Sequence, residues 1–173
     1  GGADDIYIIT AGDGNIGRTS ISGEVGSDTG IATTSGGGIS IFTKGDLNVN
    51  ESRVMTFGGS DILVWADQGD INAGRGSRTT LSSPPMKVVE KDDELVLVFT
   101  PPAVGSGIRA LTYDPDGVSG PLEAPDPGDI YLFAPQGVID AGEAGIAGGN
   151  VVLGATDVLN ANNISFSIGG VGV

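Results

Sequence analysis

The sequence predicts an all-β fold, a parallel β-helix of about five coils carrying one hairpin-bearing insertion. Three observations lead there. Strand openings recur as DIYIITA from Asp5, GISIFTK from Gly38, DILVWAD from Asp61, DIYLFAP from Asp129 and NVVLGAT from Asn150, each a turn-forming residue followed by Ile or Val and then alternation. Shorter words follow them: GNIG from Gly14, GDLNVN from Gly45, GDINAG from Gly69, GVIDAG from Gly137 and DVLNAN from Asp157. The steps between the first inward residues are 33 from Ile6 to Ile39, 23 from Ile39 to Ile62 and 21 from Ile130 to Val151. A coil of three short strands needs about 22 residues, so the period fits a solenoid.

The first coil, residues 1–37, is stretched by a polar excursion through RTSISGEVGSDTG, with a short strand expected at Ile21 to Val25. The second, 38–60, ends in ESRVMTFGGS, where either Val54 and Thr56 or Met55 and Phe57 face inward. Alternation alone gives both choices. The third opens at Asp61, and its second strand closes at Gly74. From Ile62 to Ile130 the step is 68 residues, about 45 more than one coil can use. The expectation is a single domain over 1–173 with an insertion at 75–128. The insertion has a hairpin over 86–99, MKVV and LVLVF around the charged EKDDE, between the arms Ser83-Pro84-Pro85 and Thr100-Pro101-Pro102. Ile108, Leu111 and Tyr113, further along, are placed to pack on the solenoid wall. DIYLFAPQGVIDAGEAGIAGG, Asp129 to Gly149, is the clearest coil, and the last follows it without a gap. Helical periodicity is absent.

Composition narrows the function. Gly makes up 31 of 173 residues and Cys none, so the core is held by burial and hydrogen bonds, with glycine at the corners. Twenty-two acidic residues against 8 basic give a net charge of -14, which argues against nucleic acid or an anionic membrane as partner. No apolar run approaches the roughly 18 residues of a membrane span. The Gly1-Gly2 start and the Ile168 to Val173 end suggest a piece of a longer polypeptide. With no histidine the usual acid-base residue is missing, and no enzymatic activity is expected. Asp67 and Asp70 read as corner residues before they read as a glycosidase pair. DPDG at Asp114 to Gly117 and GDGN at Gly12 to Asn15 lack the further ligands of a calcium loop. Neither metal nor cofactor is expected.

The candidate site is the outward side of the first strands. Stacking sets Tyr7 and Ile9, Ser40 and Phe42, Leu63 and Trp65, and Tyr131 and Phe133 in register at about 4.8 Å spacing. Tyr7, Phe42, Trp65, Tyr131 and Phe133 form an outer aromatic stripe. The insertion, another copy, a partner protein or a sugar ring is each able to cover it. Asn15, Asn48, Asn72, Asn160 and Asn162 recur at the turn after the first strand, where amide ladders between coils are expected.

GDINAGRGSRTT, the Pro-rich arm after it, GSGIRALT, GDIYLFAPQGVIDAGEAGI and VLNANNISF resemble the carboxy-terminal region of the large exoproteins of the filamentous haemagglutinin family. The resemblance spans roughly Gly38 to Ser167, insertion included. It implies a right-handed β-helix and secretion from a Gram-negative bacterium through a partner outer-membrane pore. It also implies a role as an adhesin or surface fibre. It supplies no catalytic residue. The expected activity is that of a stiff segment of a secreted, cell-surface fibre, presenting a surface to a host or neighbouring-cell protein or glycan. The expected self-association joins the solenoid ends into a homopolymer. A glycan-binding or glycan-cleaving β-helix is the alternative.

Overall fold

The computed structural model describes residues 4–17, 29–34, 36–76, 87–91, 94–98, 105–112, 121 and 123–172. In chain order the strands are β1 (Ile6–Thr10), β2 (Gly14–Asn15), β3 (Gly30–Thr33), β4 (Ile39–Thr43), β5 (Leu47–Asn48) and β6 (Arg53–Thr56). Then come β7 (Ile62–Ala66), β8 (Ile71–Asn72), β9 (Lys87–Lys91), β10 (Glu94–Val98) and β11 (Gly107–Ala110). The chain finishes with β12 (Ile130–Asp140), β13 (Ile146–Leu159) and β14 (Ile164–Val171). Among the described residues the only helical element is a short 3-10 turn, Ala161–Asn163.

Twelve of the strands form one sheet, paired in parallel throughout, in an arrangement consistent with a β-helix. The pairing resolves into three columns. In the first, Ile6, Ile39, Ile62, Ile130 and Val151 lie one upon the next, in the register expected from the sequence. The second stacks Asn15, Asn48, Asn72, Asp140 and Leu159. The third stacks Ile31, Val54, Ile108, Ile146 and Ile164. The long strands β12 and β13 cross corners and serve more than one column, with a register shift between Ala134 and Val138.

The core is the space between the columns. Ile41, Val64, Leu132, Ile71, Ile139, Val54, Ile108 and Ile146 are buried in one cluster. Strand alternation explains the selection, since every second side chain points inward and finds the same type of residue above and below. The burial pattern of β12, with Ile130, Leu132 and Ala134 buried and Tyr131 and Phe133 half-buried, shows it directly.

Two expectations are refined. Val54 belongs to the core cluster while Met55 lies in the outward line Ala32–Met55–Arg109–Ala147, so Val54 and Thr56 face inward. All four residues of β6 are nonetheless buried, and Phe57 with them. Burial on both faces is why a periodic signal failed to choose. The span 75–128 is not continuous as an insertion either. Its residues 107–110 are β11, paired with β6 on one side and β13 on the other. GSGIRA lacks the alternating apolar run that marks the other strands, which is why it reads as turn. Within the same span β9 and β10 pair antiparallel, Glu94 opposite Lys91 and Val98 opposite Lys87. The strand expected at Ile21 to Val25 and the Pro-rich arms lie outside the described residues.

The corner after the second column shows why its words end in Gly or Asn. Gly17, Asn50, Gly74 and Gly142 carry φ of 74°, 57°, 92° and 56°, the left-handed region open to Gly and, among other residues, to Asn. Stacking is also tight there. A Cβ on Gly74 would come within 1.8 Å of the Asn50 carbonyl oxygen, and one on Gly142 within 2.1 Å of that of Gly74.

Candidate interaction face

Outward side chains of the first column form two adjacent lines. One runs Tyr7, Ser40, Leu63, Tyr131, Val152, and the other Ile9, Phe42, Trp65, Phe133, Gly154. Tyr7 is 68% exposed, Ile9 79% and Trp65 39%, while Phe42, Leu63, Tyr131 and Phe133 are half-buried. The stripe supports itself. The Trp65 and Phe133 rings sit 5.7 Å apart between centroids at 41°, within the range in which tilted aromatic pairs attract. Phe133 in turn lies over Gly154, where a Cβ would meet its Cδ1 at 2.8 Å.

Carboxylates hold both edges of this face. On the strand-entry side, Asp5 Oδ1 accepts from the Gly38 amide at 2.8 Å, Asp61 Oδ1 from the Asp129 amide at 2.7 Å, and Asp129 Oδ1 from the Asn150 amide at 2.9 Å. On the strand-exit side, Asp13 Oδ1 accepts from the Asp46 amide at 3.0 Å, Asp46 from Asp70 at 2.9 Å and Asp70 from Val138 at 2.7 Å. Each carboxylate holds the backbone of the next pass of the chain. Every such bond satisfies a corner N–H that the strand ladder leaves over, and is worth about 1 kcal/mol. The sequence reading recognised these aspartates as turn formers and missed that they stack. The signal was present, since Asp heads three first-column words and stands second in two second-column words, with Asp13 just before a third.

Tyrosines join the entry line. The Tyr7 hydroxyl donates to Asp5 Oδ2 at 3.3 Å and that of Tyr131 to Asp129 Oδ2 at 3.2 Å. Partial burial, and after it the negative charge of Asp129, push the Tyr131 hydroxyl above its usual value near 10.

The amides are placed less uniformly. Asn15, Asn48 and Asn72 share a column, but its next member is Asp140, and Asn160 lies one residue beyond the last, Leu159. Asn72 Oδ1 accepts from the Gly74 amide and Asp140 Oδ1 from the Gly142 amide, each at 2.8 Å. These are local turns that shape the left-handed corner, where a ladder between coils was expected. Asp140 cannot donate, so a chain of amides ends there. Asn160 instead donates from Nδ2 to Asp140 Oδ1 at 2.7 Å, and Asn162 donates to Asn163 Oδ1 at 2.9 Å. Asn50 donates from Nδ2 to the Ile16 and Asn48 carbonyls, both at 3.3 Å. Asp70, weighed as half of a catalytic pair with Asp67, accepts the Val138 amide on Oδ1. DPDG at 114–117 lies outside the described residues.

A family model described as filamentous haemagglutinin family outer membrane protein matches residues 59–173, well over half of the chain. The chain belongs to the filamentous haemagglutinin family. The match runs from the third first-column strand to the end of β14, and so takes in β11, the hairpin and the aromatic pair Trp65–Phe133. The family's description associates its members with the outer membrane. No curated protein and no solved structure matches the chain.

Proposed function

We propose that this chain is a structural and adhesive segment of a secreted bacterial surface fibre. It is a right-handed parallel β-helix of about five coils, whose backbone ladders give stiffness and whose outer wall presents contacts to a host or neighbouring-cell protein or glycan. The parent protein leaves the cell through a partner pore in the outer membrane. The observation that carries this reading is the unbroken register Ile6–Ile39–Ile62–Ile130–Val151 in a chain of the filamentous haemagglutinin family. A stack of that kind offers unpaired strands at both ends, which favours head-to-tail joining of copies into filaments. Electron micrographs of the purified chain should show rods that lengthen with concentration, and the chain on beads should attach them to cells. Monomers of fixed length that leave cells unbound would refute it.

The paired rings of Trp65 and Phe133 favour a second reading, a wall that stacks on sugar rings. Retention on a glycan array that is lost in Trp65→Ala supports it. New reducing or unsaturated ends after incubation with polysaccharide would make the chain an enzyme.

A further inference from the structure

We propose that the outer face of the first column is a docking surface for a basic, amphipathic polypeptide segment, which lays apolar side chains on the stripe and sets lysine or arginine against the carboxylates along its edges. This rests on the adhesive reading and gives the chemistry of what is held.

The argument is one of complementarity. The face is apolar along its centre, from Ile9 across Phe42 to Trp65 and Phe133, and it is exposed at Ile9 and Trp65. Asp5, Asp61 and Asp129 stand two residues before Tyr7, Leu63 and Tyr131 and share their side of the strand, as the two Tyr-Asp hydrogen bonds require. Asp67 stands two residues beyond Trp65, and Asp13, Asp46 and Asp70 follow at the next corner. Lys44 is the one described cation at that corner; Arg53 and Arg109 belong to the third column and Arg75 follows the second. Because the Oδ1 atoms of all of these but Asp67 are fixed by backbone amides, those carboxylates are held in place. A cation meeting them loses little to reorganisation.

The same charge argues against other occupants. The hairpin over 86–99 has Lys87 and Lys91 against Glu90, Asp92, Asp93 and Glu94, so two cations and four anions leave it acidic itself. A second copy brings a net charge of -14 to a face already edged with carboxylates. Steering and retention both favour a cationic partner, with the aromatic pair as its anchor.

The chain has a single tryptophan, Trp65, at the centre of the face, so its emission reports occupancy. The probe is a synthetic peptide alternating lysine and leucine, with one peptide of glutamate and leucine and one of lysine and serine as controls, all at low salt. Trp65 in the free protein should emit as an exposed indole and be quenched by acrylamide. The lysine-leucine peptide should shift the emission to the blue and protect it, and neither control should. Labelled-peptide anisotropy should weaken roughly tenfold in Asp61→Asn/Asp67→Asn, where the amide oxygen at position 61 still accepts from the Asp129 N–H, and several-fold in Ile9→Ser. Binding should also fall with added salt. Matching circular dichroism and thermal midpoints establish that both variants fold.

A Trp65 already shielded in the free protein overturns the proposal in favour of the chain's own insertion. Equal binding of the glutamate peptide reduces the face to a merely apolar one. Binding of chitosan oligomers without binding of the peptide assigns it to a cationic glycan. Each of these leaves rods and cell attachment, measured separately, untouched. Peptide binding without rods or attachment removes the fibre reading instead.

Discussion

At the scale of single residues, the tightest constraint is the approach of one corner to the next. Gly137 shows it without any unusual backbone angle, since a Cβ there would sit 2.2 Å from the Gly69 carbonyl oxygen. Gly137→Ala forces the backbones apart, and an overpacking cost of about 1 to 3 kcal/mol should appear as a lower midpoint in urea. Asp70 tests the carboxylate line. Asp70→Ala leaves the Val138 amide without its acceptor and should cost about 1 to 2 kcal/mol. Asp70→Asn keeps an oxygen in the same place and should recover most of that loss in the same titration. If the two variants were equally destabilised, the bond from Val138 would not be what holds this corner.

At the scale of elements, legibility followed the chemistry of the side chains. First-column strands could be read because Ile6, Ile39, Ile62, Ile130 and Val151 repeat a shape as well as a period, and the column observed is the one expected. β11 could not, because its rung is Gly-Ile-Arg-Ala and Arg109 points outward to the Ala144 carbonyl, at 2.8 Å, and to that of Ser106, at 3.0 Å. A strand with a single large apolar residue has no alternation to detect. β6 failed in the opposite way, through burial on both sides. The stripe was legible as a set of outward residues, while the carboxylate lines flanking it were missed although their aspartates recur in the words, because Asp is expected at any turn. Leu132 belongs to the line Ile8–Ile41–Val64–Leu132–Leu153 and is fully buried. Leu132→Ala should cost about 2 to 5 kcal/mol by chemical denaturation. Ile8→Ala, half-buried at the end of the same line, should cost appreciably less.

At the scale of the whole molecule, charge opposes what packing builds. A net charge of -14 with carboxylates stacked coil upon coil repels itself, and ions in solution weaken that repulsion more than they weaken the buried contacts. Raising sodium chloride from low to moderate concentration should therefore raise the thermal midpoint, by scanning calorimetry, while it weakens capture of a basic peptide. An unchanged midpoint would mean that the backbone amides already neutralise the stacked carboxylates.

The interruptions on either side of β11 have one more consequence. From Gly74 to Gly107, and again from Ala110 to Ile130, the chain departs at a corner and returns to a rung whose register is unaltered. Closing a longer excursion costs only about 0.6 kcal/mol per doubling of its length, so distance along the polypeptide is nearly independent of height along the stack. Those two departures are natural grafting points. Foreign sequence spliced in at either one should be carried on the wall as cargo, with the rungs above and below none the wiser.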